Sequence, residues 1–139
     1  MTRTLVGVMA ALLAFVRVAA VAPDLGTDAE RKAGAELYNK FCSQCHGDDM
    51  AGSGMFIHGL NPIPTNFTDQ GTIPMLRETF LFWRIAKGGP GLPDEGGPWD
   101  SAMPAWEKFL TEEEIWDTIL FLYDYTGRKP RAKEEGEHE

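Results

Sequence analysis

The sequence predicts an all-α domain, and three observations carry that expectation. Two segments open with the same capping pattern, Thr27-Asp28-Ala29-Glu30 and Thr111-Glu112-Glu113-Glu114, in which a hydroxyl and a glutamate three residues on each cover an orphan amide. Behind each box apolar residues recur at helical steps: Ala29, Ala33, Leu37 and Phe41 in the first, Ile115, Ile119 and Leu122 in the last. Between them, stretches rich in glycine and proline over 47–69 and 88–105 break any regular pattern into loops.

At 139 residues, 43% apolar and 24% charged, the chain falls in the class of a single small globular domain, and it contains no internal repeat. Residues 1–20 read as an export signal. A short positive start at Arg3 is followed by the apolar run from Leu5 to Val16, with small residues up to Ala20 suited to cleavage. The alternative is an uncleaved anchor. Arg17 interrupts the run short of the ~20 apolar residues that a spanning helix needs, which favours the signal. Residues 21–27 read as a linker and 28–127 as the folded domain.

The first helix carries Gly34 in its interior, where glycine costs about 1 kcal/mol against alanine. That is understandable if another helix crosses close by, with Phe121 or Tyr123 of the last helix packing over it. The helix leads into Cys42-Ser43-Gln44-Cys45-His46. Two thiols at i and i+3 share a helix face, and the imidazole follows directly; this is the pattern of covalent c-type haem attachment. In it the sulfurs bond two vinyl groups and His46 becomes the proximal iron ligand. The rivals are poorer. Cys42 and Cys45 are the only cysteines, so no four-cysteine zinc site can be completed, and a Cys2His2 site would need more than His58 and His138 offer. A thioredoxin-like pair needs a preceding strand, whereas a helical pattern precedes Cys42.

In the 47–69 loop, Met50, Met55 and His58 are conceivable iron ligands, but packing or solvent exposure is the expected role for each. A backbone carbonyl near Asn61 to Pro64 is expected to accept the Nδ1 proton of His46 and fix its ring. A second helix is expected to open near Pro74 and to run through Leu76, Phe80, Trp83 and Ile85 to Lys87, stopped by Gly88-Gly89-Pro90. Its aromatics suit a haem wall and a plain core equally. Arg84 and Lys87 are candidates for haem propionates, with a solvated helix face the expected role.

At the end of the 88–105 loop stands Met103, followed by Pro104. A thioether is a soft ligand suited to the sixth position of iron, and a proline-bounded loop can hold it. The last helix runs from its capping box to Gly127, a glycine suited to the position after a helix end. Residues 128–139 read as a charged, disordered tail.

Taken together, these residues resemble the small class I monohaem cytochromes c. The likeness rests on Cys42-Ser43-Gln44-Cys45-His46-Gly47 near the end of the first helix, Met103-Pro104-Ala105-Trp106 just before the last, and Leu120-Phe121-Leu122-Tyr123 within it. It spans residues 28–127. The resemblance implies a cytochrome c fold of about three to four helices around one covalently attached haem c. It also implies crossed N- and C-terminal helices, His46 proximal, Met103 distal, and one-electron transfer rather than enzymatic turnover.

The expected partners are redox proteins, met either by a free periplasmic carrier or by a cytochrome subunit of a membrane oxidoreductase. No small-molecule substrate is expected. The rival class is a haem enzyme or gas sensor, which requires an open sixth position. The net charge of −8 becomes −10 if residues 1–20 leave, since they carry Arg3 and Arg17 and no acid. That sign argues against nucleic acid and for steering toward basic docking patches.

Overall fold

The computed structural model describes residues 26–89 and 101–128. The export signal, most of the linker, the 90–100 part of the second loop and the tail from 129 on, with His138, lie outside the described residues. Within them the chain is helical, and none of them is in a strand.

Helix α1 (Asp28–Leu37) begins as its capping box demands. Thr27 Oγ1 accepts from the Glu30 amide at 3.2 Å, and the Glu30 carboxylate accepts from the Thr27 amide. That backbone bond, with the Thr27 hydroxyl, holds the Glu30 carboxyl below the usual carboxylate range. The helix does not stop at Leu37. It widens into a π-turn over Tyr38–Cys42, in which the Ser43 amide reaches back to the Tyr38 carbonyl, and resumes as α2 (Ser43–His46). The wide turn bears only on the last step of the apolar spacing of four, from Leu37 to Phe41; Ala29, at the start of the stripe, is exposed. At 3.6 residues per turn, every fourth residue drifts around the cylinder, and a wider turn corrects the drift.

Gly47, at φ 82°, ends α2, and the chain folds back over the helix end. The amides of Gly47, Phe56, Gly54 and Gly52 donate in turn to the carbonyls of Ser43, Gln44, Cys45 and His46, at 2.7–3.2 Å. These are the carbonyls that a helix terminus leaves without partners. The approach is tight: a Cβ on Gly54 would overlap the backbone of Gln44 and Cys45.

The second long helix starts later than expected. Ile73–Met75 makes a 3₁₀ turn around Pro74, Leu76 and Arg77 are extended, and α3 runs Glu78–Lys87. Burying Ile73 at the turn and extending Leu76 redirects the chain before α3 can begin. Gly88, at φ 67°, terminates it. Helix α4 (Glu112–Thr126) has its full capping box, with Thr111 and Glu114 exchanging bonds of 2.8 and 3.2 Å, and closes at Gly127 in the left-handed region, φ 64°.

Helices α1 and α4 cross at Gly34. A Cβ there would overlap the Asp117 carbonyl and stand 3.0 Å from the Phe121 Cβ, so this crossing admits only glycine. Of the two aromatics expected over Gly34, Phe121 is the one present. Tyr123 lies instead in the larger core cluster with Ile73, Leu81, Ile85, Ile115 and Ile119. A second cluster joins Tyr38, Met50 and Leu122. The N- and C-terminal helices are thus crossed, as the resemblance implied.

Candidate functional site

Between these elements lies a cavity of about 580 Å³. Cys42, Cys45 and His46 line one side, delivered by the π-turn and α2. Met103, with Ser101 and Pro104, lines it from the segment before α4. Leu81, Arg84 and Ile85 of α3, the 60–67 loop and Leu122 supply further wall, most of it apolar. Four residues singled out in the sequence, Cys42, Cys45, His46 and Met103, therefore face one chamber. Met50, Met55 and His58 do not line it. Met50 is fully buried in the second core cluster, Met55 is 70% exposed, and His58 is exposed.

The imidazole is held on two sides. His46 Nδ1 lies 3.3 Å from the Thr65 carbonyl, one residue beyond the expected Asn61–Pro64 segment. The Pro64 carbonyl is not available there, because it sits on Gly52, where a Cβ would collide with it. A carbonyl can only accept, so Nδ1 carries the proton and Nε2 keeps its lone pair. The ring also stacks on Phe67, with centroids 4.7 Å apart and planes at 23°. Phe67 is pinned by its amide bond to the Met50 carbonyl, 2.8 Å. Burial lowers the His46 pKa; the Thr65 bond opposes that, and the Arg84 charge adds to it. The neutral imidazole is the form able to bind a metal.

Both cysteines are free thiols. Burial first, then the neighbouring Cys45, pushes the Cys42 thiol up to about 12. A redox-exchange or zinc-binding cysteine has its thiolate stabilised instead, so this environment disfavours both rivals. Among the described residues no group of three or more His, Cys, Asp or Glu side chains is placed to hold a metal ion. One imidazole, one thioether and two thiols around a mostly apolar chamber form a donor set suited to a flat apolar macrocycle with a central iron, not to a bare ion.

Arg84 differs from expectation. It is half-buried on the cavity wall, donating to the Gly88 carbonyl and to Ser101 Oγ, 3.0 Å each. Lys87 points outward and pairs with Glu107 at 2.7 Å. Phe80 lines the cavity and Trp83 does not. Trp106, beside Phe41 at a ring separation of 5.3 Å, is a wall residue that sequence reasoning used only as part of a motif.

Comparison with known proteins agrees with this geometry. The chain is 31% identical over 96 residues to proteins described as alcohol dehydrogenase (quinone), cytochrome c subunit, from Gluconacetobacter polyoxogenes and from Komagataeibacter europaeus. The match takes in 69% of this chain and only 19% of each relative. In fold, the chain is similar to one in the Kuenenia stuttgartiensis reducing HAO-like protein complex. There the TM-score is 0.53 and the identity 24%, covering 76% of this chain and 45% of that one. Residues 29–122, which include all four candidate site residues, match the family model described as cytochrome C oxidase, cbb3-type, subunit III. The chain belongs to the family of cytochrome c domains that this model describes.

Proposed function

We propose that the chain carries one haem c on Cys42 and Cys45, with His46 and Met103 as axial ligands, and serves as a one-electron carrier. When bound, the haem supplies the Fe(III)/Fe(II) couple; all else is the work of the chain. The two thiols would hold the group by thioether bonds. The Thr65 carbonyl and the Phe67 ring orient His46 so that its Nε2 lone pair is free. Met103 would fill the remaining axial position with a weak, uncharged donor, which raises the reduction potential. The apolar walls exclude water and favour the less charged, reduced form. With His46 and Met103 both holding the iron, no substrate would reach the metal, which is why we read a carrier rather than an enzyme or gas sensor. The observation that carries the proposal is the meeting of Cys42, Cys45, His46 and Met103 on one apolar chamber.

The relatives suggest the setting. They are cytochrome c subunits of a quinone-type alcohol dehydrogenase. We read this chain likewise as a cytochrome domain that passes electrons within or to a respiratory redox complex, on the periplasmic side of an inner membrane. No helix among the described residues is long and apolar enough to cross a membrane.

Expression in a host that matures c-type cytochromes tests the reading. The purified chain should keep haem through denaturing electrophoresis, and Cys42→Ala with Cys45→Ala should lose it. The oxidised protein should show the weak red absorption band of thioether–iron ligation, and Met103→Ala should abolish it. A preparation without covalent haem would overturn the proposal. Haem staining of native membranes and of soluble extract tells a complex subunit from a free carrier.

A further inference from the structure

We infer that Arg84 is the positioning residue of the distal side, holding Met103 through Ser101; this rests on Met103 being the second axial ligand. Arg84 stands in the last turn of α3, and its guanidinium spans two acceptors that belong to different segments. Nη1 donates to the Gly88 carbonyl and Nη2 to Ser101 Oγ, both at 3.0 Å. Ser101 Oγ in turn accepts from the Met103 amide at 3.4 Å. The Met103 carbonyl accepts from the Gly89 amide at 2.8 Å. The backbone on both sides of Met103 is thus tied to the end of α3.

The fit leaves no slack at the turn. A Cβ on Gly88 would overlap the Met103 and Pro104 backbone, and one on Gly89 would overlap Ser101. Arg84 crosses this seam from the cavity wall. The planar fork reaches Gly88 and Ser101 together from two nitrogens; a lysine ammonium is a compact point charge on a single nitrogen and does not span the two acceptors in that fixed geometry. A thioether is a weak iron ligand and yields to competitors unless its backbone is held in place. The network around Ser101 is that constraint.

The rival role for Arg84 is a direct partner of the carboxylates on the bound haem. The test separates the two roles with Arg84→Lys, Ser101→Ala and the double variant, each as holoprotein. The readouts are the red thioether–iron band and the affinity of the oxidised protein for added imidazole, which competes with Met103. Each single variant should weaken the band and bind imidazole about tenfold more tightly, the factor expected when a charge-assisted hydrogen bond is lost. The double variant should be no worse than Arg84→Lys alone, since the two residues act as one unit. Ser101→Ala at the wild-type affinity, or additive effects in the double variant, would overturn the inference and favour the carboxylate role. Should Arg84→Lys fail to mature, Ser101→Ala decides alone, because it leaves the charge in place. A wild-type protein without the red band would instead remove Met103 as ligand, which is a failure of the proposed function and is read before any variant is made.

Discussion

The Tyr38 hydroxyl donates to the Gly47 carbonyl across 2.8 Å, joining the start of the π-turn to the residue that ends α2. Both residues are buried, and burial, more than the nearby Cys42, Asp49 and Asp48, raises the phenol above its ordinary pKa. The same carbonyl also accepts from the Met50 amide at 3.1 Å, so removing the hydroxyl strands no acceptor. Tyr38→Phe should therefore lower stability by only about 1 kcal/mol. Tyr38→Ala, which also empties the ring's place against Phe121, should cost about 3–5 kcal/mol. Urea unfolding of the holoproteins checks both.

Met50 is fully buried and holds a left-handed backbone, φ 58°. Replacing it by alanine should cost about 2–4 kcal/mol through the cavity left between Tyr38 and Leu122. Met50→Gly loses the same packing but is relieved of about 1 kcal/mol of left-handed strain. The usual order should therefore invert, with glycine the milder substitution. Midpoints of chemical unfolding for the two variants measure the difference.

The Asp49 carboxylate accepts from the Ala51 amide at 3.0 Å and the Ser53 hydroxyl at 2.8 Å. The backbone bond first, then the hydroxyl, holds its pKa below the ordinary carboxylate value. A depressed folded pKa means a stabilising contribution that is present above the unfolded value, near about 4, and is lost as pH falls through the folded one. Asp49→Asn should thus unfold more readily than wild type at neutral pH, and the gap should close in acid. A gap that persists below that range would show that the carboxylate charge is not what matters.

Electron exchange with a basic redox protein should slow as salt rises. The net charge of −8 steers oppositely charged partners at low ionic strength. Screening shortens the reach of that field from about 10 Å at 0.1 M salt to about 3 Å at 1 M. Stopped-flow rates over that range should fall by about tenfold or more with a basic partner and not with an acidic one.

The helix boundaries that depend on local chemistry were legible in the chain itself. Thr27 with Glu30, Thr111 with Glu114, and Gly127 all do what their residue types dictate, and Gly34 marks the crossing of α1 and α4. The motif Cys42, Cys45 and His46 was equally readable as a candidate attachment site, because its spacing is local. Legibility failed where a residue's role is set by distant chain. No polar cap precedes Glu78, so nothing near Pro74 revealed that α3 begins late. The Thr65 carbonyl faces His46 while the Pro64 carbonyl turns onto Gly52, a partition set by chain 12 residues upstream. Arg84 looked like a surface cation, since neither Gly88 nor Ser101 can be seen to converge on it until the chain has turned.

The π-turn at Tyr38–Cys42 also acts as a phase adjuster in an otherwise regular screw. Deleting one residue there, such as the exposed Lys40, would let the helix close at ordinary pitch, because a turn widened by one residue carries nearly the same rotation as the ordinary turn that replaces it. Cys42, Cys45 and His46 would keep their face toward the chamber, whereas the same deletion within α1, past Gly34, would swing them away by about 100°. The widened turn thus marks a stretch of this helix that can lose a single codon and still keep the chamber-facing residues in phase with the crossing.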